Sequence, residues 1–459
     1  MSVPETNNPS SSQESVPKKP KVLIVGGGLG GLFLGILLMK GGVDFEIIER
    51  AREVKPIGSA MSMGACFSNL FKQMGIFDEF VKLGKPNQVM ELFDENLNPL
   101  FDLDFKDRDI ISGAVEYIIP RPDLYDLFLR QVPKEYIHMG KKVVSYQEDS
   151  EGVKVTCADD TTYRGDILVG ADGAYSNVRE KLYSTLKAKG SLPASDEEPL
   201  PFNCVCLVGQ TDVLDPEEFP GLKLDRSHFV SMIKSGSYKI LEENSHKSKE
   251  GSSNSEWGPE AAEAMCNEVR DFKLVGGKDG KVLTMGDMID RTPKGMISKV
   301  MLEEKLFDTW YGGRTVLLGD ACHKLHPASG GGALNAIQDA VALANWICSL
   351  ESTPSLTEIE TIFKEYRDER HPALQQAFAT AQVFKSLGEN TWKSMLNKAL
   401  FRYMGYLPSL WWKVQTKMCS HRPQLSFLPL IDDKGSVPPV YQASLQKTLA
   451  IRKQRAVAV

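Results

Sequence analysis

The chain has 459 residues but no run of about 18 apolar residues, so no membrane-spanning helix is expected. The first twenty residues are rich in Ser, Pro, Asn and Lys and contain no apolar signal core. Residues 1–19 are therefore expected to form a disordered tail, without an ordinary secretory signal. The eight cysteines are scattered, and the nearest pair, Cys204 and Cys206, lacks Cys-x-x-Cys spacing. Reduced thiols and a cytoplasmic location are the expectation. Cys66, His138, Cys322, His323 and His326 form no metal-ligand pattern, so no metal is expected. A net charge of −6 gives no electrostatic case for nucleic-acid binding. There is no internal repeat. What remains is ordinary for a globular chain, 42% apolar and 25% charged, and long enough for two or three domains.

The first informative segment is Lys21-Val22-Leu23-Ile24-Val25-Gly26-Gly27-Gly28-Leu29-Gly30-Gly31. A buried apolar run leads straight into G-x-G-x-x-G. Gly26 permits the tight turn, Gly28 lets backbone approach a pyrophosphate, and Gly31 lets helix pack on strand. The phosphates would sit at the positive end of the helix that follows. Val43 to Ile48 reads as the next strand and delivers Glu49, 18 residues beyond Gly31, where a carboxylate can accept from a ribose diol. Together these features predict a dinucleotide-binding βαβ unit.

The remaining pattern is an α/β domain interrupted by a second one. Residues 20–180 and 306–350 are expected to form the Rossmann-like domain, with a short β insertion near 88–105. Pro122 and the Leu124, Leu127, Phe128 spacing start a helix at Arg121. Val153–Cys157 and Thr161–Tyr163 alternate like a hairpin turning at Asp159-Asp160. Residues 181–305 read as an inserted β-sheet substrate domain, with a polar surface insertion near 242–255 and Tyr238 on a strand as a substrate contact or packing group. Residues 351–459 read as a helical carboxy-terminal region. Its Trp392, Trp411 and Trp412 are expected to pack between helices.

Two later segments repeat the strand-turn-helix theme. Asp166–Gly170 is a buried strand entering Asp172-Gly173, followed by a helix that contains Arg179. Thr315–Leu318 is another, entering Gly319-Asp320-Ala321-Cys322-His323, then Pro327 and Gly330-Gly331-Gly332-Ala333. Asp320 ends its strand as an acceptor for hydroxyls, while the glycines let a flat ligand lie against N–H groups at the next helix start.

This ordered trio over residues 20 to 350 resembles the class A FAD-dependent monooxygenases, the aromatic hydroxylase and epoxidase group, and is most similar to fungal members, including those of secondary metabolism. The resemblance implies tightly but non-covalently bound FAD. Gly26, Gly28 and Gly31 would hold the pyrophosphate, Glu49 with Arg50 the adenosine ribose end, and Arg121 the cofactor from its helix start. Asp320 would hold the ribitol, Gly332 and Ala333 the pyrimidine edge, and Ser62 a flavin-contact loop. The Asp172-Gly173 turn is associated with both FAD and NAD(P)H, which makes Arg179 a candidate reductant contact. His323 is expected to brace its loop; a chemical role for it or His326 is the lesser alternative. The chain departs from the family at Gly331, where Gln is common, and at Cys322, where Ala is common.

The implied reaction is NAD(P)H- and O2-dependent hydroxylation or epoxidation of an aromatic or alkene small molecule through a C4a-hydroperoxyflavin, with no catalytic side chain identified. Two alternatives stay open: a reductase, dehydrogenase or halogenase on the same fold, and a nucleotide-binding scaffold. The halogenase form lacks the Trp-x-Trp-x-Ile-Pro stretch. Peripheral membrane contact through the aromatic segment Ala399 to Lys413 stays open as well. Its alternative is a helix broken at Pro408 that packs within the molecule.

Overall fold

A computed structural model describes residues 19–54, 60–93, 97–209, 211, 214–220, 226–230, 259–326, 330–351, 354–387, 391–404 and 407–458. Its centre is a six-stranded sheet in the order Tyr311–Gly312, Thr315–Leu317, Ile167–Gly170, Val22–Val25, Phe45–Ile48, Ile137–His138. Neighbours are parallel except at the Tyr311–Gly312 edge, which folds back antiparallel. Parallel sheets need cover on both faces. The helix Leu29–Lys40 supplies part of it and is apolar all round, with Leu32, Phe33, Ile36 and Leu37 fully buried; it packs on the helix Gly331–Ile347, and Phe33 meets Phe71 and Phe128.

Register decides where the three motifs meet. Val25 pairs with Ile48 on one side and Gly170 on the other, and Gly170 pairs with Leu317. Gly26, Glu49, Ala171 and Leu318 therefore leave the sheet along one edge, beyond the carboxyl ends of parallel strands, where ligands of such sheets bind.

Away from that sheet, Phe202–Val208 pairs antiparallel with Ser298–Glu303. The segment near 88–105 is a hairpin, Val89–Phe93 with Pro99–Asp104, as its composition suggests. Its first strand, Val89–Phe93, also pairs, in parallel, with Arg226–Val230, so this piece read as part of the nucleotide domain hydrogen-bonds into the segment read as the substrate domain. The hairpin Gly152–Cys157 with Thr162–Gly165 forms as expected and turns with Asp160 at a φ of 62°. Tyr238 and the insertion at 242–255 lie outside the described residues.

The carboxy-terminal region is helical: Leu356–Leu387, Trp392–Met404, Pro408–Cys419 and Ala443–Ala458. Phe401 stacks on Phe101 with ring centroids 5.6 Å apart, fixing the second of these helices to the 88–105 hairpin. Trp411 donates its indole N–H to the Asp104 carbonyl at 2.6 Å, and Trp412 packs beside Ala65 and Ile111. Both are packing groups. Trp392 is not: it is 67% exposed, because it starts a helix whose inner face is set by Phe401 and Met404. The chain is thus mixed α/β, a Rossmann-like domain with a separate β region and a helical carboxy-terminal region.

Candidate active site

Gly26 leaves its strand with a φ of +110°, and a Cβ there would fall 2.3 Å from the Ala171 carbonyl oxygen. A Cβ on Gly31 would lie 2.0 Å from the Gly26 carbonyl oxygen. Close packing therefore requires both glycines. Gly28 differs, since its Cβ would meet nothing within 4 Å. It caps the Leu29–Lys40 helix with no side-chain bond, and no acid stands in the first turn. The helix-start N–H groups are left for an outside partner, and the helix dipole favours an anion. Gly30, to which the sequence assigns no role, lets this helix meet the third motif: its Cβ would be 2.7 Å from Leu318.

Glu49 has a structural task the sequence does not reveal. One carboxylate oxygen accepts the Gly27 N–H at 2.6 Å and the other the Ala51 N–H at 2.7 Å. It braces the glycine loop from below, and each oxygen keeps a lone pair. Arg50 beside it is exposed.

Arg121 begins the Arg121–Gln131 helix, where the dipole disfavours a cation. Burial lowers its basicity, and Asp320 and Tyr125 work in the opposite direction. Tyr125, one turn on, is pushed up to about 12 by burial with Glu49 beside it. Glu49, Tyr125, Arg121 and Asp320 thus lie within electrostatic reach of one another in sequence. Asp320 is also paired with Lys324 at 2.5 Å, which holds the ammonium above its ordinary value. Lys324 in turn senses Glu303, which accepts the Tyr175 phenol. Tyr175 follows the Asp172-Gly173 turn, so the second and third motifs are tied together by residues that sequence reasoning passed over.

The Asp172 carboxylate accepts the Ser176 hydroxyl at 2.5 Å and the Val178 N–H at 3.3 Å, and burial raises its pKa. It holds its own turn against Gly26. Arg179 is not a surface charge. It is buried, donates to the carbonyls of Ala321 at 2.9 Å and Ala174 at 2.7 Å, and lies over the Phe307 ring.

A family model described as an FAD binding domain matches residues 19–199 and 281–381. The chain belongs to the class A FAD-dependent monooxygenase family. It is 27% identical over 442 residues to the FAD-dependent monooxygenase cle3 of Aspergillus versicolor, covering 92% of this chain and 87% of that protein. It is 25% identical over 430 residues to the FAD-dependent monooxygenase esdpE of Penicillium shearii, covering 89% and 86%. Klebsiella pneumoniae HpxO complexed with FAD and uric acid has the same fold, with a TM-score of 0.59 at 17% identity over 87% of this chain and 96% of that one. The protein is an FAD-dependent oxidoreductase.

The residues present fit the cofactor. A second helix, Gly331–Ile347, also starts uncapped, after Gly330 at a φ of +63°, and Gly332 fronts open space as Gly28 does. Helix starts without a side-chain cap suit the anionic parts of FAD, and the Asp320–Lys324–Arg121 group offers both donors and acceptors for hydroxyls. Ala333 is half-buried on the same first turn. Ser62 is half-buried on the strand Ala60–Met63, which pairs antiparallel with Tyr117–Pro120, the strand leading into Arg121. Its hydroxyl donates to Glu116 at 2.8 Å, and Glu116 pairs with buried Arg108.

His323 braces its loop. Fully buried, its Nε2 meets the Asp339 carboxylate at 2.5 Å, and Asp339 also takes Arg370 Nε at 2.7 Å and the Gly319 N–H at 3.3 Å. Cys322, His323 and Asp339 bring potential metal-ligand atoms within 4.8 Å of one another. The Arg370 guanidinium on the same carboxylate opposes a metal cation there. The six cysteines with described side chains are free thiols. His326 lies near Glu304, 3.9 Å away. Among the described residues no helix is long and apolar enough to cross a membrane.

Proposed function

We propose that this flavoenzyme is a monooxygenase that consumes NAD(P)H and O2 to hydroxylate or epoxidise an aromatic or alkene small molecule. When bound, the flavin supplies hydride acceptance from NAD(P)H and activation of O2 for transfer of one oxygen atom. The protein supplies position, charge and exclusion of water. Gly26, Gly28 and Gly31 cradle the pyrophosphate against the helix start. Glu49 accepts from the ribose hydroxyls with the lone pairs left by Gly27 and Ala51, with Arg50 at the solvent edge. Arg121 forks onto phosphate or ribityl oxygens. Asp320, balanced by Lys324, accepts from the ribitol. Asp172 keeps its turn against Gly26, Gly332 and Ala333 meet the pyrimidine edge, and Ser62 contributes from the neighbouring strand. The reading includes peripheral membrane contact through the carboxy-terminal region.

The observation that supports this most is the shared sheet edge, along which Gly26, Glu49, Ala171 and Leu318 emerge together. Relatives named FAD-dependent monooxygenases add to it. The test is turnover under labelled oxygen with an aromatic or alkene panel. One labelled atom in the product per NAD(P)H consumed supports the reading. Product formed equally well without oxygen would make the enzyme a reductase or dehydrogenase.

A further inference from the structure

We infer that the outer face of the Trp392–Met404 helix is a docking surface for an anionic lipid bilayer. The helix is anchored by one side only, where Phe401 and Met404 pack with Phe101, Leu103 and Phe105. On the other side Trp392, Met395, Leu396, Leu400 and Tyr403 are each more than half exposed. At about 100° per residue these five occupy an arc of roughly 140°. Lys393 falls about 20° beyond one end of that arc and Arg402 about 20° beyond the other. Exposed Leu407 and Leu410 continue the apolar surface onto the next helix.

The charge pattern selects the occupant. No Asp or Glu occurs from Asn390 to Ile431, although the whole chain carries a net charge of −6. The same stretch places Lys393, Lys398, Arg402, Lys413 and Lys417 on the two helices. A second copy of a net-acidic chain would meet this surface with an equally cationic copy of itself around any two-fold axis. An anionic headgroup layer meets it with opposite charge, and each basic group near such a surface contributes favourably. Trp and Tyr rings flanked by Lys and Arg suit the boundary between headgroups and acyl chains. A cavity of about 460 Å³, where Trp392 and Val383 stand among the polar Gln382, Ser386, Thr391 and Asn397, opens beside the arc. The helix lies in the interface; it does not cross it.

The inference rests on the peripheral membrane contact of the proposed function and names its lipid class; it fails or holds separately from the oxygenase chemistry, because binding is measured without substrate. The yellow full-length protein is floated with phosphatidylcholine vesicles, with and without phosphatidylserine. Flotation with the anionic vesicles, reversed by salt, is expected. Leu396→Asp combined with Tyr403→Asp should reduce it by roughly tenfold or more while the bound flavin is retained, which reports an intact fold. Brominated acyl chains should quench fluorescence in the wild type and quench it less in Trp392→Phe. Three results would overturn the inference: no flotation of the wild type, equal flotation of the double variant, or a dimer in sedimentation that the double variant abolishes.

Discussion

Replacing Asp339 by Asn removes one charge from a fully buried group while keeping its shape. The Asp339 carboxylate is shared by His323, Arg370 and the Gly319 N–H, so three elements lose a common anchor. Arg370 would keep only neutral partners, the Gln338 and Asn335 carbonyls, each at 3.0 Å. Removing one member of a buried pair costs about 3–5 kcal/mol. The Asn carbonyl can still accept from Arg370, so the lower end of that range is expected. Against a total stability of about 5–15 kcal/mol this is a large fraction. The urea midpoint at neutral pH should fall clearly, and flavin should leave faster because the Gly319-Asp320 turn is loosened. The pH dependence gives an internal control. Burial alone would raise the Asp339 carboxyl, but His323 and Arg370 outweigh it and hold it below 3.8. Its contribution is therefore complete above the unfolded value and lost as pH falls through the folded one. Wild type and variant should differ at pH 7 and converge in strong acid. Crossing with His323→Gln should reveal a coupling of about 1–3 kcal/mol. A midpoint loss worth less than about 1 kcal/mol at pH 7 would refute the shared anchor.

Gly31→Ala would place a methyl 2.0 Å from the Gly26 carbonyl, and flavin-poor, destabilised protein is expected by absorbance and thermal melting; a normal yellow variant contradicts this. Arg179→Gln loses buried bonds to the Ala321 and Ala174 carbonyls and should cost about 1–3 kcal/mol of stability. It should leave the KM for NAD(P)H nearly unchanged; a large rise in KM at unchanged stability would return Arg179 to the reductant. Burial lowers the pKa of His326, His371 and His421 below 6.5. The unfolded chain then binds more protons below that pH, so stability is full above 6.5 and declines as pH drops toward the folded values. Replacing all three by Gln should flatten the melting temperature between pH 6.5 and 5.5; an unchanged slope would count against it.

The sequence was most informative where local geometry is decisive. Gly26 and Gly31 read correctly because a turn and a close approach leave no alternative to glycine, and the Arg121 helix read correctly because Pro122 fixes its first turn. What it could not give was long-range pairing. Nothing local tells Val89–Phe93 to pair with Arg226–Val230, or Tyr175 to meet Glu303. The burial of Arg179 was hidden for a related reason: nothing local to its helix tells the Ala321 carbonyl to pack against it. Lys324 was hidden because its value lies in its Asp320 partner, not in the motif spacing. Trp392 misleads in the opposite sense, since an aromatic at helical spacing reads as core and here faces outward.

The central claim is that Glu49, Arg121 and Asp320, drawn from three distant segments, serve one FAD. Titrating flavin into apoprotein carrying Glu49→Ala, Arg121→Ala or Asp320→Ala tests it directly. The account predicts one FAD per chain in the wild type and weaker binding in all three variants, by roughly tenfold or more where a charge-assisted hydrogen bond is lost. Undiminished affinity in the Asp320 variant, or any stoichiometry other than one, would contradict it.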